Sequence, residues 1–479
     1  MLIVSVIMYL AVTIAIGLLA ARYVRNSTDY LVAGRSLPLY MNTATVFATW
    51  FGAETVLSVS ATFARDGMGG IVADPFGSSF CLLFVALFFA RAFYRMDLLT
   101  IGDFYKKRYG RPAEVITSVA ITASYLGWTS AQLTALGLAF SVLSGGALSL
   151  GEGIVLGAAI VLFYTIWGGM WSVAWTDLFQ TAVIVIGLVA VAWLVGDMAG
   201  GTGKVISAAV ADGKLEFWPK GGAREWLAFL AAWMTLSIGS IPQQDVFQRV
   251  TSAKNEAIAV RGSLIGGGAY FVFAFVPIFI AYAALLIDPA MKELFKADDA
   301  REIQRILPEL VLSRTPLWAQ IMFFGALLSA ILSTASGALL APTALFTENV
   351  LRPFVPRMGD RQFLLTLRVV LVTFTLAALL FALNSRSTMY EMVQNAYKVT
   401  LVGALAPLAA GIYWKRANAA GALTSILMGL ASWLLMEFYG ADSIWPSQLV
   451  GLAFAVIGMV AGSLASRAPA PHAKPDHAR

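Results

Sequence analysis

The chain has one cysteine, Cys81, and two histidines, His472 and His477, among 479 residues. A single thiol inside an apolar stretch excludes a disulfide framework and a cysteine metal centre. With both histidines in the last residues, the rest of the chain has no imidazole for acid–base work. Charged residues make up 13%, roughly half of what a soluble domain carries. No glycine-rich phosphate loop or nucleotide-hydrolysis motif occurs, which excludes a primary pump. The formal charge is +6, but the cations fall in short loops between apolar runs. That placement is topological and gives no nucleic-acid surface. Neither an enzyme nor an organic cofactor is expected.

What is abundant is apolar length: 59% of the chain is hydrophobic. A membrane helix needs about 20 mostly apolar residues, and thirteen segments qualify: 2–22, 39–64, 71–94, 113–145, 150–169, 177–198, 226–248, 258–287, 315–350, 363–384, 390–413, 419–438 and 445–466. The first lacks a basic leader and a small-residue cleavage site, so it reads as a retained helix. An all-α polytopic protein embedded in a lipid bilayer is predicted, with about 13 transmembrane helices. Basic residues cluster in alternate loops: Arg22, Arg25 and Arg35; Arg91 to Arg111; Arg249 to Arg261; Arg352 to Arg368; Lys415 and Arg416. The positive-inside rule makes that side cytoplasmic. An odd helix count then sets the N-terminus outside and the Ala- and Pro-rich tail 467–479 inside. The tail is expected to be disordered. A bacterial-type inner membrane is the expected location.

Two spans are interrupted. The second contains Ala48-Thr49-Trp50-Phe51-Gly52-Ala53-Glu54-Thr55, and the seventh contains Gly239-Ser240-Ile241-Pro242-Gln243-Gln244-Asp245. They lie five helices apart, at matching positions of two five-helix blocks. Such breaks point to an inverted-repeat transporter whose discontinuous helices line a central site. Glycine and proline are also common in ordinary membrane helices, and the breaks alone leave that alternative open.

Further motifs carry a resemblance. Gly168-Gly169-Met170-Trp171-Ser172-Val173-Ala174-Trp175-Thr176-Asp177-Leu178-Phe179-Gln180 resembles the signature of solute:sodium symporters. So does Ser329-Ala330-Ile331-Leu332-Ser333-Thr334-Ala335-Ser336-Gly337. Asp29 to Arg35, Asp245-Val246-Phe247-Gln248-Arg249 and Trp414 to Asn418 match in order as well. The resemblance implies a LeuT-type 5+5 inverted-repeat core. A helix and cytoplasmic loop (1–38) precede the first repeat (39–198), an external loop (199–225) separates it from the second (226–413), and two helices follow (414–466).

The resemblance also implies a sodium site formed by the carbonyls of Ala48, Phe51 and Ala330 and the hydroxyls of Ser333 and Thr334. Sodium, a hard cation, takes such oxygens readily. Read without the motif, Ser333 and Thr334 could equally bond back to their own helix or join two helices. A second sodium would use Asp177 and Ser336, but Gly337 stands where a serine is expected, and Asp177 could instead cap a helix N-terminus.

Within the family, Thr49-Trp50-Phe51-Gly52, Trp128 and Gly239-Ser240-Ile241-Pro242 are similar to the high-affinity choline transporter branch. That branch cages a quaternary ammonium in aromatic rings, at about 0.5–2 kcal/mol per contact. Here Gln243 replaces one expected tryptophan and Ser78 stands near an expected tyrosine. The candidate substrate contacts are Trp50, Glu54, Thr55, Ser78, Trp128 and Gln243. Thirteen tryptophans are available, and Trp50 and Trp128 could simply fill the bundle.

Ionisable groups at mid-membrane cost about 2.5–3.5 kcal/mol unless paired or hydrated. Glu54 could attract a cation or hold a proton, and Lys398 could meet an anion. A Glu54–Lys398 or Asp74–Lys398 pair holding the bundle closed is the expected alternative. Sodium-coupled import of a small cationic or zwitterionic amine (choline-like, betaine-like or amino acid) is the leading reading. A proton-coupled or sodium-independent carrier stands behind it, as does a solute sensor needing a separate signalling partner. Oligomeric state leaves no signature.

Overall fold

The computed structural model describes residues 1–466 apart from Asp298, Pro356 and Ala441. The expected disordered tail 467–479 lies outside the described residues. Every expected span meets helix. In chain order these are α1 (Leu2–Ala20), the broken pair α2 (Leu39–Trp50) and α3 (Glu54–Asp66), α4 (Met68–Arg95), α5 (Arg111–Leu143), α6 (Leu150–Met198), the pair α7 (Ala223–Ser237) and α8 (Gln244–Thr251), α9 (Glu256–Ile287), α10 (Leu317–Phe346), α11 (Asp360–Asn384), the pair α12 (Met389–Gly403) and α13 (Leu405–Tyr413), α14 (Ala419–Tyr439) and α15 (Ser447–Ala465). Nine helices among the described residues are long and apolar enough to cross a membrane, eleven if each of two bent pairs is one span. The two remaining expected spans fall on the apolar segment Leu150–Phe163 and on α7 with α8.

Gly169 turns the continuous run of α6 into two spans. Its backbone (φ 51°, ψ −147°) is left-handed, which glycine adopts without steric cost. A Cβ there would also lie 2.4 Å from the Tyr30 carbonyl oxygen. Between α2 and α3 the axis bends 53°, because Phe51 leaves the helical region at ψ 76°. The Gly239–Pro242 segment separates α7 from α8, as predicted. A third break was not predicted: α12 and α13 meet at 45° around Ala404 (φ −129°, ψ −32°). Gly403 and Pro407 flank it, a signal the sequence reading did not use.

Carbonyls released by such breaks need partners in a medium without water. The Ala48 carbonyl accepts from two hydroxyls of α10. Gly239 O accepts from Thr400 Oγ1 of α12 at 2.7 Å. The second break thus leans on the helix that carries the third. α10 runs through the centre and is almost wholly buried, whereas α1, α11, α14 and α15 leave most of their surface outside the bundle.

The basic loops gather at one end. Leu37 pairs with Ala253, Arg35 Nη2 donates to Leu98 O and Arg95 pairs with Glu256. Arg108 reaches the carbonyls of Gly411 and Trp414. Asn349 joins Thr100, Asp103 and Glu114. At the other end Met68 N donates to Lys214 O and Met389 N to Gln304 Oε1.

Candidate functional site

Four of the five expected sodium ligands meet where α2 breaks against α10. Ser333 Oγ stands 3.0 Å from Ala48 O and 3.1 Å from Ala330 O, and Thr334 Oγ1 stands 3.2 Å from the same Ala48 oxygen. Phe51 occupies the break itself. All five residues are buried. Both hydroxyls present lone pairs beside backbone oxygens, so a small cation arriving here would exchange the hydroxyl-to-carbonyl hydrogen bonds for oxygen–cation contacts while the hydroxyls keep their protons. The donor set is all oxygen and carries no formal charge of its own, which fits a monovalent hard ion.

A formal charge adjoins this site: Glu54, at the start of α3. A Cβ on Gly52 would lie 2.5 Å from Glu54 Oε2 and 2.9 Å from Thr334 Oγ1. The carboxylate and the ion-site hydroxyl therefore converge over one glycine. Glu54 accepts from Gln132 Nε2 at 2.6 Å and, more weakly, from the Trp128 indole at 3.4 Å. Gln132 Oε1 also takes the Ala53 N–H at 3.2 Å. One glutamine of α5 thus binds both a freed amide of the break and the acid that follows it.

An aromatic cluster adjoins Glu54. Trp50 and Tyr397 are stacked 6.1 Å apart at 8°, Trp128 lies 6.0 Å from Tyr397, and Tyr125 lies 5.6 Å from Trp128. Gln243 closes it from the second break, donating to Ser124 Oγ at 3.1 Å and Thr400 Oγ1 at 3.3 Å, while its Oε1 has no partner. Tyr125 donates to Asp245 Oδ1, leaving Oδ2 unpaired. A small pocket, with only about 10 Å³ of free space, follows on the α8 side, lined by Thr49, Trp50, Asp245 and Arg249 among others.

Four expectations need correction. Thr55 and Ser78 do not reach the aromatic cluster. They hydrogen-bond Asp74, which also accepts from the Tyr270 hydroxyl. Hydroxyls therefore satisfy Asp74, and no lysine is needed. Lys398 pairs with neither Glu54 nor Asp74: its Nζ stands 3.5 Å from Glu437 of α14, on the other side of α12. Asp177 caps nothing, since it lies eight residues past the Gly169 kink inside α6. Its two oxygens are buried without a partner, and Ser336 turns to the Ser333 carbonyl at 2.8 Å.

Tyr397, Tyr125 and Gln132 escaped the sequence reading, and Arg249, expected in a basic loop, is instead buried inside α8. Tyr397 adjoins Lys398, whose charge drew attention, but neighbours on a helix point about 100° apart. Only the inward one reaches the site.

A family model, the sodium:solute symporter family, matches residues 30–429. This chain belongs to the sodium:solute symporter family. Membership identifies it as a multi-pass membrane transporter and not an enzyme. Among curated relatives, the high-affinity choline transporter 1 of Caenorhabditis elegans is 26% identical over 450 residues, covering 89% of this chain and 76% of the relative. The sodium/glucose cotransporter of Vibrio parahaemolyticus is 24% identical, covering 92% and 86%. The solved structure of a Na+-coupled sialic acid symporter superposes with a TM-score of 0.80 at 18% identity, over 97% of this chain and 98% of that one. The fold is the LeuT type expected from the sequence.

Proposed function

We propose that this symporter imports a small organic amine, cationic or zwitterionic, together with sodium. The observation that carries the reading is one continuous arrangement. The Trp50, Tyr397 and Trp128 rings surround the approach to Glu54, and Glu54 converges with Thr334 over Gly52. Ring faces attract an alkylated ammonium that cannot donate hydrogen bonds. Glu54 supplies the opposite charge, and Gln243 Oε1 offers an acceptor to a substrate that does carry N–H or O–H groups. Tyr397 supplies the ring that Gln243 and Ser78 do not. The choline transporters named among the relatives support the same class.

In this reading sodium is bound by Ala48, Phe51, Ala330, Ser333 and Thr334, holding α2 against α10. The substrate is bound by Trp50, Glu54, Trp128, Gln243 and Tyr397 across the two breaks. Segments 39–198 and 226–413 are the inverted repeats, and their relative rocking exposes the site alternately to each side. The end bearing the basic loops is cytoplasmic, which sets the N-terminus outside a bacterial inner membrane. The membrane potential contributes about 2.3 kcal/mol per charge per 100 mV, roughly fiftyfold accumulation for each co-transported charge.

Intrinsic tryptophan fluorescence of purified protein tests this, titrating amines, amino acids and carboxylates with and without sodium. A sodium-dependent response to an amine, lost in Trp50→Ala and in Ser333→Ala, is the expected result. A response only to carboxylates overturns the amine assignment. The buried Glu54 favours one second reading, a proton-coupled carrier. That reading predicts uptake into sodium-free proteoliposomes driven by a pH gradient alone and lost in Glu54→Gln.

A further inference from the structure

Beside α1, at the end of the bundle that carries the basic loops, lies a groove of about 910 Å³. Leu19 and Ala20 of α1 line one side, and Trp171 and Trp175, one turn apart on α6, line the other. α1 ends at Ala20, and the second span of α6 starts at the Gly169 kink. The two helices therefore enter the bilayer side by side. Ser172 Oγ donates to Gly17 O and fastens one to the other. Deeper in, the Tyr9 and Phe179 rings stack 6.1 Å apart. Near the membrane end Tyr23 leans on Trp171, their ring centroids 5.2 Å apart. Tryptophan and tyrosine in such a position mark the headgroup level of a bilayer.

Arg22 and Arg25, just beyond the end of α1, also line the groove. Both are exposed, and among the described residues neither side chain has an ion-pair or hydrogen-bond partner. Other arginines at this end are matched: Arg35 meets Asp97, Arg95 meets Glu256, Arg111 meets Glu114 and Arg352 meets Glu348. The groove has one acid, Asp29, whose oxygens turn to the backbone. Oδ2 accepts the Arg25 N–H at 3.0 Å, and Oδ1 stands 2.9 Å from where a Cβ on Gly34 would lie. Two guanidinium groups against one engaged carboxylate leave this end of the groove positive.

We infer that the groove holds an anionic phospholipid of the surrounding bilayer, its phosphate on Arg22 and Arg25 and an acyl chain between α1 and the α6 tryptophans. A guanidinium offers a planar fork of donors that matches phosphate oxygens, and basic pockets between membrane helices suit anionic headgroups. A choline headgroup would bring its own ammonium against the arginines, so charge selects an anionic lipid over a zwitterionic one. The inference is independent of the substrate and of the coupling ion. A lipid seated here ties the second span of α6 to α1, a helix that otherwise leaves most of its surface outside the bundle.

Quenching of tryptophan fluorescence by phosphatidylglycerol with brominated acyl chains, titrated into the purified full chain in detergent, tests the inference. Saturable quenching is expected, with brominated phosphatidylcholine at least about tenfold weaker. Arg22→Gln and Arg25→Gln should each raise the half-saturating concentration about fivefold, the contribution of one basic residue at a membrane surface. Trp171→Phe/Trp175→Phe should remove most of the saturable signal. Without lipid, the exposed Arg22→Gln/Arg25→Gln variant should keep the thermal midpoint of the unaltered chain. Phosphatidylglycerol should raise that midpoint in the unaltered chain and leave it in place in the double variant. Equal quenching by the two lipids overturns the inference, as does a double variant that binds phosphatidylglycerol as well as the unaltered chain. Inorganic phosphate that displaces the brominated lipid at equal concentration would assign the arginines to a free anion instead. Native mass spectrometry showing paired chains without lipid, and single chains for Trp171→Phe/Trp175→Phe, would assign the groove to a second copy and also overturn it.

Discussion

The indole of Trp50 and the phenol of Tyr397 lie parallel, 6.1 Å apart and 8° from coplanar, joining the first break to the helix that carries the third. Two parallel rings at this spacing stack on each other, and an organic cation between ring faces competes for the same surfaces. If the proposed amine binds between these faces, the pair has to open, which would link substrate entry to movement of α12 against α2.

Replacing Tyr397 with alanine is expected to weaken amine binding about tenfold, within the 0.5–2 kcal/mol of a cation–ring contact. Tyr397→Phe keeps the ring face and is expected to stay within about threefold. Isothermal titration at saturating sodium checks both. Equal losses in the two variants would show that the hydroxyl matters and the ring face does not.

Ser333→Ala and Thr334→Ala each remove one oxygen from the Ala48 carbonyl contact. Each is expected to raise the sodium concentration for half-maximal uptake at least about tenfold, with transport partly recovered at high sodium. Uptake assays across a sodium series in proteoliposomes decide it. A change in maximal rate with no change in sodium dependence would contradict the role.

Gly52→Ala would set a methyl group 2.5 Å from Glu54 Oε2 and 2.9 Å from Thr334 Oγ1. Both groups must shift, so sodium and substrate affinities are expected to fall together while Gly268→Ala, at a position with open space around it, changes neither. Fluorescence titrations of the two variants make the comparison.

Asp288, just beyond α9, has its carboxyl held below the usual carboxylate range by the Arg314 guanidinium hydrogen-bonded to it at 2.7 Å. A lowered folded value means that the stability it contributes is present above the unfolded value of about 3.9 and is lost as pH falls through the folded one. The thermal midpoint of Asp288→Asn should lie below that of the unaltered protein at pH 7, and the gap should close as pH drops below about 4. A gap that is constant with pH would remove the ion pair as its cause.

The chain's own order of residues determined where the helices lie and two of the three breaks. Hydropathy over twenty residues is a local property, and Gly52, Gly239 and Pro242 are themselves local signals of a break. The resemblance to the symporter signature likewise marks Ser333 and Thr334 in the sequence itself. What only the tertiary structure decided is which side chains meet. Tyr397 faces the Trp50 ring while Lys398, its neighbour, turns to Glu437, and Thr55 and Ser78 turn to Asp74 and not to the aromatic rings. Gly403 and Pro407 flank the break at Ala404, but Pro277 lies inside the unbroken α9, so such residues alone do not decide where a helix bends, and the approach of Arg249 to Gly337 joins residues on different helices. Such pairings depend on how each helix is rotated about its axis, and that rotation is set by packing against all its neighbours at once.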